Sequence, residues 1–88
     1  MNLTEKIKNS DLVVSTKEYN PSAAVSRLYI TLKGFDRSYR GDQGTQVYID
    51  NKSGLLIVKR AAKGLVSRGL EESLTTLREQ FPDLVEQR

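Results

Sequence analysis

The stretch Arg27-Leu28-Tyr29-Ile30-Thr31-Leu32-Lys33 alternates without a break. Leu28, Ile30 and Leu32 fall on one side, and Arg27, Tyr29, Thr31 and Lys33 on the other. Successive side chains of a strand point to opposite faces, so this reads as a half-buried strand. Its oily face needs a cover. Leu70, Leu74, Leu77 and Phe81, spaced four, three and four apart, line one face of a helix and are the predicted cover. Ser67 suits the cap of that helix, Glu71 and Glu72 suit the positive end of its dipole, and Pro82 marks its stop. The other strand face, cationic and aromatic, is left open.

Working outward, Asn2 and Glu5 have the spacing of a capping box for a short N-terminal helix that ends near Asn9, with Leu3 and Ile7 inward. Asp11–Lys17 reads as a strand with Leu12 and Val14 toward the core and Val13, Ser15 and Lys17 away from it. Glu18–Ser26 reads as a break. Asn20-Pro21 starts either a turn or a short helical segment with Asn20 as its cap. Gly34–Thr45 is a long loop with three glycines, expected to be mobile, that carries Phe35, Arg37, Tyr39 and Arg40. Gln46–Asp50 is a strand with Val47 and Ile49 inward and Tyr48 outward. Asp50–Gly54 is a hairpin turn, and Leu55–Arg60 returns as a strand that is central or covered on both faces, because Leu55–Val58 is a continuous apolar run. Residues 61–68 form a basic connector holding Lys63 and Arg68. Residues 83–88 form a tail in which Leu84 and Val85 either dock or join a contact between copies.

These elements predict one α+β domain over residues 1–88: a mostly antiparallel sheet of about four strands, a C-terminal helix packed on one face and a short N-terminal helix. Strands followed by a helix in this order resemble the architecture of small coactivator-type single-strand DNA binders. The likeness lies in element order and assigns no residues. It implies an open sheet that holds nucleic acid.

Composition narrows the chemistry. The chain has no Cys and no His, so it lacks a thiolate nucleophile, the commonest general base and the commonest metal ligand. No metal, cofactor or catalytic residue is expected, and no carboxylate pair stands out for acid–base work. A small basic ribonuclease of the messenger-cleaving toxin type can work with Arg, Lys and Tyr alone, but the element order departs from that family. No apolar run reaches membrane-spanning length and the first residues lack the apolar core of a signal peptide, so the expected compartment is the cytoplasm.

Net charge is +3, but it is unevenly placed. Residues 33–68 carry eight Lys/Arg against three acids, whereas residues 69–88 carry two against five. A basic middle attracts anionic partners, nucleic acid foremost. The expected contact set is Arg27, Tyr29, Lys33 and Tyr48 on the open face, Arg37, Tyr39 and Arg40 on the loop, and Lys59, Arg60 and Lys63 beyond. Rings interleaved with cations let bases stack while phosphates are neutralised. Gly41-Asp42-Gln43-Gly44 matches the G-x-x-G of KH domains in letters, but a strand follows it where that family has a helix. Arg40-Gly41-Asp42 spells a cell-adhesion tripeptide in a chain with no secretion signal. The expectation is a non-enzymatic nucleic-acid-binding protein, with a homodimer compatible with so small a core. The alternative is a regulatory or inhibitor protein, of the kind phages encode, that binds another protein.

Overall fold

A computed structural model describes residues 2–61 and 65–87. The elements in chain order are α1 (Leu3–Lys8), β1 (Val13–Ser22), β2 (Val25–Leu32), α2 (Arg40–Gln43), β3 (Gln46–Asp50), β4 (Leu55–Lys59), α3 (Arg68–Gln80) and β5 (Val85–Gln87). The strands form one sheet in the order β1-β2-β3-β4-β5; the first three pairings are antiparallel and β4–β5 is parallel. The fold is α+β, as the patterning predicts. Among the described residues no helix is long and apolar enough to cross a membrane.

The core follows from the alternation in β2. Leu28 stands opposite Ile49, which stands opposite Leu56; Ile30, Val47 and Val58 form the next row. With Leu32 they make an apolar floor. Leu70, Leu74 and Leu77 of α3 and Ile7 of α1 cover it, all of them buried. Asn2 caps α1 by accepting the Glu5 N–H at 2.9 Å, and Ser67 caps α3 by accepting the Leu70 N–H at 3.3 Å. Gly54 closes the β3–β4 turn at φ 73°, and its N–H donates to the Asp50 carbonyl at 2.7 Å.

Three expectations need correction. First, Asn20-Pro21 starts neither a turn nor a helix; the turn within residues 18–26 lies at Ala23-Ala24. Strand β1 runs on to Ser22 and returns through Ala23 and Ala24, and Asn20-Pro21 forms a bulge opposite Ser26. Proline is tolerated there because an edge-strand bulge asks for no regular ladder bond from it. Second, the register also shifts at Val14, which is a bulged residue between Val13↔Leu32 and Ser15↔Thr31. The extra residue reverses the facing, so Val13 packs against the core and Val14 is 64% exposed. Third, the tail contains a fifth strand: Ile57, Val58 and Lys59 pair with Val85, Glu86 and Gln87. This makes β4 interior, which accounts for its unbroken apolar run.

Ion pairs fix β5 in place. Glu86 accepts from Arg60 at 3.1 Å and from Arg78 at 2.9 Å, and Glu71 accepts from Arg60 at 3.1 Å. The Arg78 hydrogen bond holds the Glu86 carboxyl below its ordinary value of 4.5; partial desolvation opposes this and Arg60 adds to it. A carboxylate depressed on folding stabilises the fold above its unfolded value, and the contribution is lost as pH falls through its folded value. The urea midpoint of the parent should therefore fall as pH drops below about 4.5. Glu86→Gln should lower the midpoint at neutral pH and flatten that acid slope. An unchanged slope in the variant would show that the cluster is not coupled to folding.

Candidate nucleic-acid interface

Odd-numbered residues of β2 and their cross-strand partners form the face turned away from α3. One row reads Lys17, Tyr29, Tyr48, Ile57, Val85, and its neighbour reads Tyr19, Arg27, Asp50, Leu55. The tyrosines pack in sequence. The Tyr19 and Tyr29 centroids are 5.9 Å apart with the rings edge-on at 70°, and those of Tyr29 and Tyr48 are 5.3 Å apart at 48°. Such offset and edge-on arrangements follow from the ring quadrupole. Arg27 lies across the row: its guanidinium carbon is 4.7 Å from the Tyr48 ring centroid, and Nη1 donates to the Tyr29 hydroxyl at 3.0 Å. That hydrogen bond pushes the guanidinium further toward its charged form.

Exposure sorts the row by role. Tyr48 is only 5% exposed, lying under Arg27 and beside Tyr29. It supports the face and does not offer a free ring. Tyr29 is half-buried and Tyr19 is 47% exposed, so the ring open to a ligand lies on β1. The sequence reading missed Tyr19 because it treated residues 18–26 as a break. With β1 carried through, Tyr19 has the same parity as Lys17, and that alternation was the available signal. Among the described strand residues this face carries the cations Lys17, Arg27 and Lys59 against one acid, Asp50. The Asp50 carboxylate accepts from the Lys52 N–H at 2.9 Å in its own turn.

The remaining expected residues fall elsewhere. Arg60 is on the α3 side, held in the ion pairs with Glu71 and Glu86. Lys33 follows the end of β2; it borders a groove with Leu12, Gly69, Glu72, Ser73 and Thr76 and is not part of the tyrosine row. Lys63 lies outside the described residues. Arg37, Tyr39 and Arg40 are exposed on the segment between β2 and β3, which contains the helical turn α2.

That segment is anchored by Asp42, which is fully buried. Its carboxylate accepts from the Asp36 N–H at 2.9 Å, from the Ser67 N–H at 2.6 Å and from the Ser67 hydroxyl. Thr45 Oγ1 donates to the Gly41 carbonyl at 2.9 Å. The adhesion reading of Arg40-Gly41-Asp42 requires an accessible aspartate and fails on this burial. The segment is thus pinned to the start of α3 while its arginines face outward. Comparison with protein-family models, curated proteins and solved structures gives no match to this chain.

Proposed function

We propose that this chain is a non-enzymatic nucleic-acid-binding protein that takes single-stranded or distorted DNA or RNA on the sheet face opposite α3. The observation carrying this reading is the packed row Tyr19–Tyr29–Tyr48 with Arg27 lying over it and Lys17 and Lys59 at its flanks. A sheet face with an accessible ring and three cations against one acid offers the two terms a single strand needs: stacking of about 1–3 kcal/mol per base and phosphate neutralisation. Tyr48 is buried and Arg27 bridges it to Tyr29, so these side chains have little rotamer freedom left to lose on binding. Arg37, Tyr39 and Arg40 extend the contact along the strand.

The test is fluorescence anisotropy with a labelled oligonucleotide over a range of salt. The parent should lose affinity steeply as salt rises. Tyr19→Ala should weaken binding about five- to 150-fold at every salt concentration, in line with one lost stack. Lys59→Ala should chiefly reduce the salt slope, by about one counterion. A flat salt response in the parent, or parental binding by Tyr19→Ala, would refute the assignment. In that event the exposed Arg37 and Tyr39, residue types that dominate protein interfaces, favour a regulator that binds another protein.

A further inference from the structure

The ladder between β2 and β3 stops short. Its last pair is Ile30↔Val47, although β2 runs on to Leu32 and β3 begins at Gln46. Main-chain directions follow from two hydrogen bonds. The Lys33 N–H donates to the Leu12 carbonyl at 2.8 Å, and the Asn51 N–H donates to the Ser26 carbonyl at 2.9 Å. Odd-numbered residues of β2 therefore turn their polar groups toward β1, and even-numbered ones turn theirs toward β3. The Leu32 N–H points at β3. On β3 the odd-numbered residues face β2, as Asn51 does, so the Thr45 carbonyl points back at Leu32. Among the described residues no main-chain hydrogen bond joins this N–H to this carbonyl. Both chains turn away instead. The Leu32 carbonyl accepts from the Phe35 N–H at 3.3 Å, and the Thr45 N–H donates to the Asp42 carbonyl at 3.1 Å.

A slot of about 170 Å³ opens at the missing rung. Tyr29, Thr31 and Gln46 line it from the tyrosine face, and Phe35, Val47 and Leu70 line it from the core. It passes between two neighbouring strands, with the exposed Thr31 and Gln46 at its mouth and the buried Val47 and Leu70 beneath. We propose that this slot takes one unstacked pyrimidine from a bound single strand. The proposal rests on the nucleic-acid reading above and adds a base preference to it. Tyr29 belongs both to the aromatic row and to the slot wall, so a base leaving the row meets the mouth. Bases of a single strand are free to splay out in this way. A cavity of about 150 Å³ holds benzene, so one six-membered ring fits here and a fused purine is too large. The apolar walls suit the faces of the ring. The Leu32 N–H and the Thr45 carbonyl offer one donor and one acceptor to a base edge that carries both.

Anisotropy with a homopyrimidine and a homopurine oligonucleotide of equal length makes the comparison. The parent should favour the homopyrimidine by on the order of tenfold, the worth of one or two hydrogen bonds. Backbone flexibility alone can also favour pyrimidine runs, and a variant separates the two causes. Thr31→Leu reaches over the mouth of the slot and brings no ring of its own. It should bind both oligonucleotides alike, with the homopurine affinity and the salt slope of the parent. A preference due to flexibility would survive this change. The amide NMR spectrum of the parent gives a second reading. Saturating homopyrimidine should shift the Leu32 amide, and homopurine should leave it unmoved. Equal affinities in the parent overturn the slot, as does a folded Thr31→Leu that keeps the preference or a Leu32 amide that stays in place. With salt-dependent binding through Tyr19 still present, those results leave the wider reading standing. If neither oligonucleotide binds, that reading falls and the slot falls with it.

Discussion

Replacing Asp42 with alanine should destabilise the protein by about 3 kcal/mol. The carboxylate is fully buried and accepts from the Asp36 amide, the Ser67 amide and the Ser67 hydroxyl. Hydrogen bonds to a charged acceptor are worth about 1.5–3 kcal/mol each, and donors left buried without a partner add their own cost. The three bonds share one acceptor group and are not additive, so the total stays near the upper end for a single group. For a domain of this size the midpoint of thermal unfolding should fall by on the order of 12–24 °C, read by circular dichroism. Asp42→Asn keeps the volume but turns an NH2 group toward donors, and should retain only part of the stability. A shift of only a few degrees in Asp42→Ala would mean that the link between the β2–β3 segment and the start of α3 contributes little.

The second large effect concerns Gly34. Its φ is +84°, and a Cβ built on it would overlap the backbone carbonyl of Gly69, where the start of α3 meets the end of β2. Gly54 also has positive φ, +73°, but nothing lies within 4 Å of where its Cβ would sit. The pair separates two costs. Gly54→Ala should lose about 1–2 kcal/mol, the penalty of a left-handed conformation for a residue with a side chain. Gly34→Ala carries that penalty plus a backbone collision, and should lose about 3 kcal/mol or more, because neither main chain can rotate away as a side-chain tip could. Urea unfolding of both variants measures the difference. Equal losses would show that the contact between β2 and α3 yields easily.

The fold was legible where a single periodicity operates. Leu28, Ile30 and Leu32 alternate and are buried; Leu70, Leu74 and Leu77 recur at helical spacing and cover them. Both caps were readable because Asn2 and Ser67 are residue types whose side chains replace missing backbone partners. Legibility failed wherever one residue interrupts the period. The bulge at Val14 turns Val13 to the core and Val14 to solvent while Leu12 stays on the core side, and no side-chain property of Val14 announces that. Pro21 reads as a breaker in isolation and becomes a strand residue only because β1 is an edge. Strand β5 is too short to show alternation; it exists because β4 supplies a ladder and Arg60 and Arg78 supply charge.

The candidate site shows the same division. Strand parity put Arg27, Tyr29 and Tyr48 on one face. It could not tell that Tyr48 would be buried by its neighbours, since burial there depends on how Arg27 folds across the ring. Arg60 follows Lys59 directly, and a step of one residue sends it to the opposite face and into the ion pairs. In the sequence Asp42 stands out only as part of a G-x-x-G lookalike and an adhesion tripeptide. Its burial arises from Ser67, 25 residues away in sequence, which no local pattern displays.

The parallel pairing of β5 has a consequence for the order of assembly. Strands β1 to β4 can form in chain order, each against the one before it. No turn can join β5 to β4 in the same way, because a parallel neighbour needs a crossover and α3 is that crossover. The helix must dock before residues 85–87 have a place to go, so the ion pairs around Glu86 belong to the last stage of folding. Mutations there should accelerate unfolding and leave the refolding rate nearly untouched. Until that stage Ile57 and Val58 sit on an open edge, which is the interval in which the nascent molecule is most prone to aggregate.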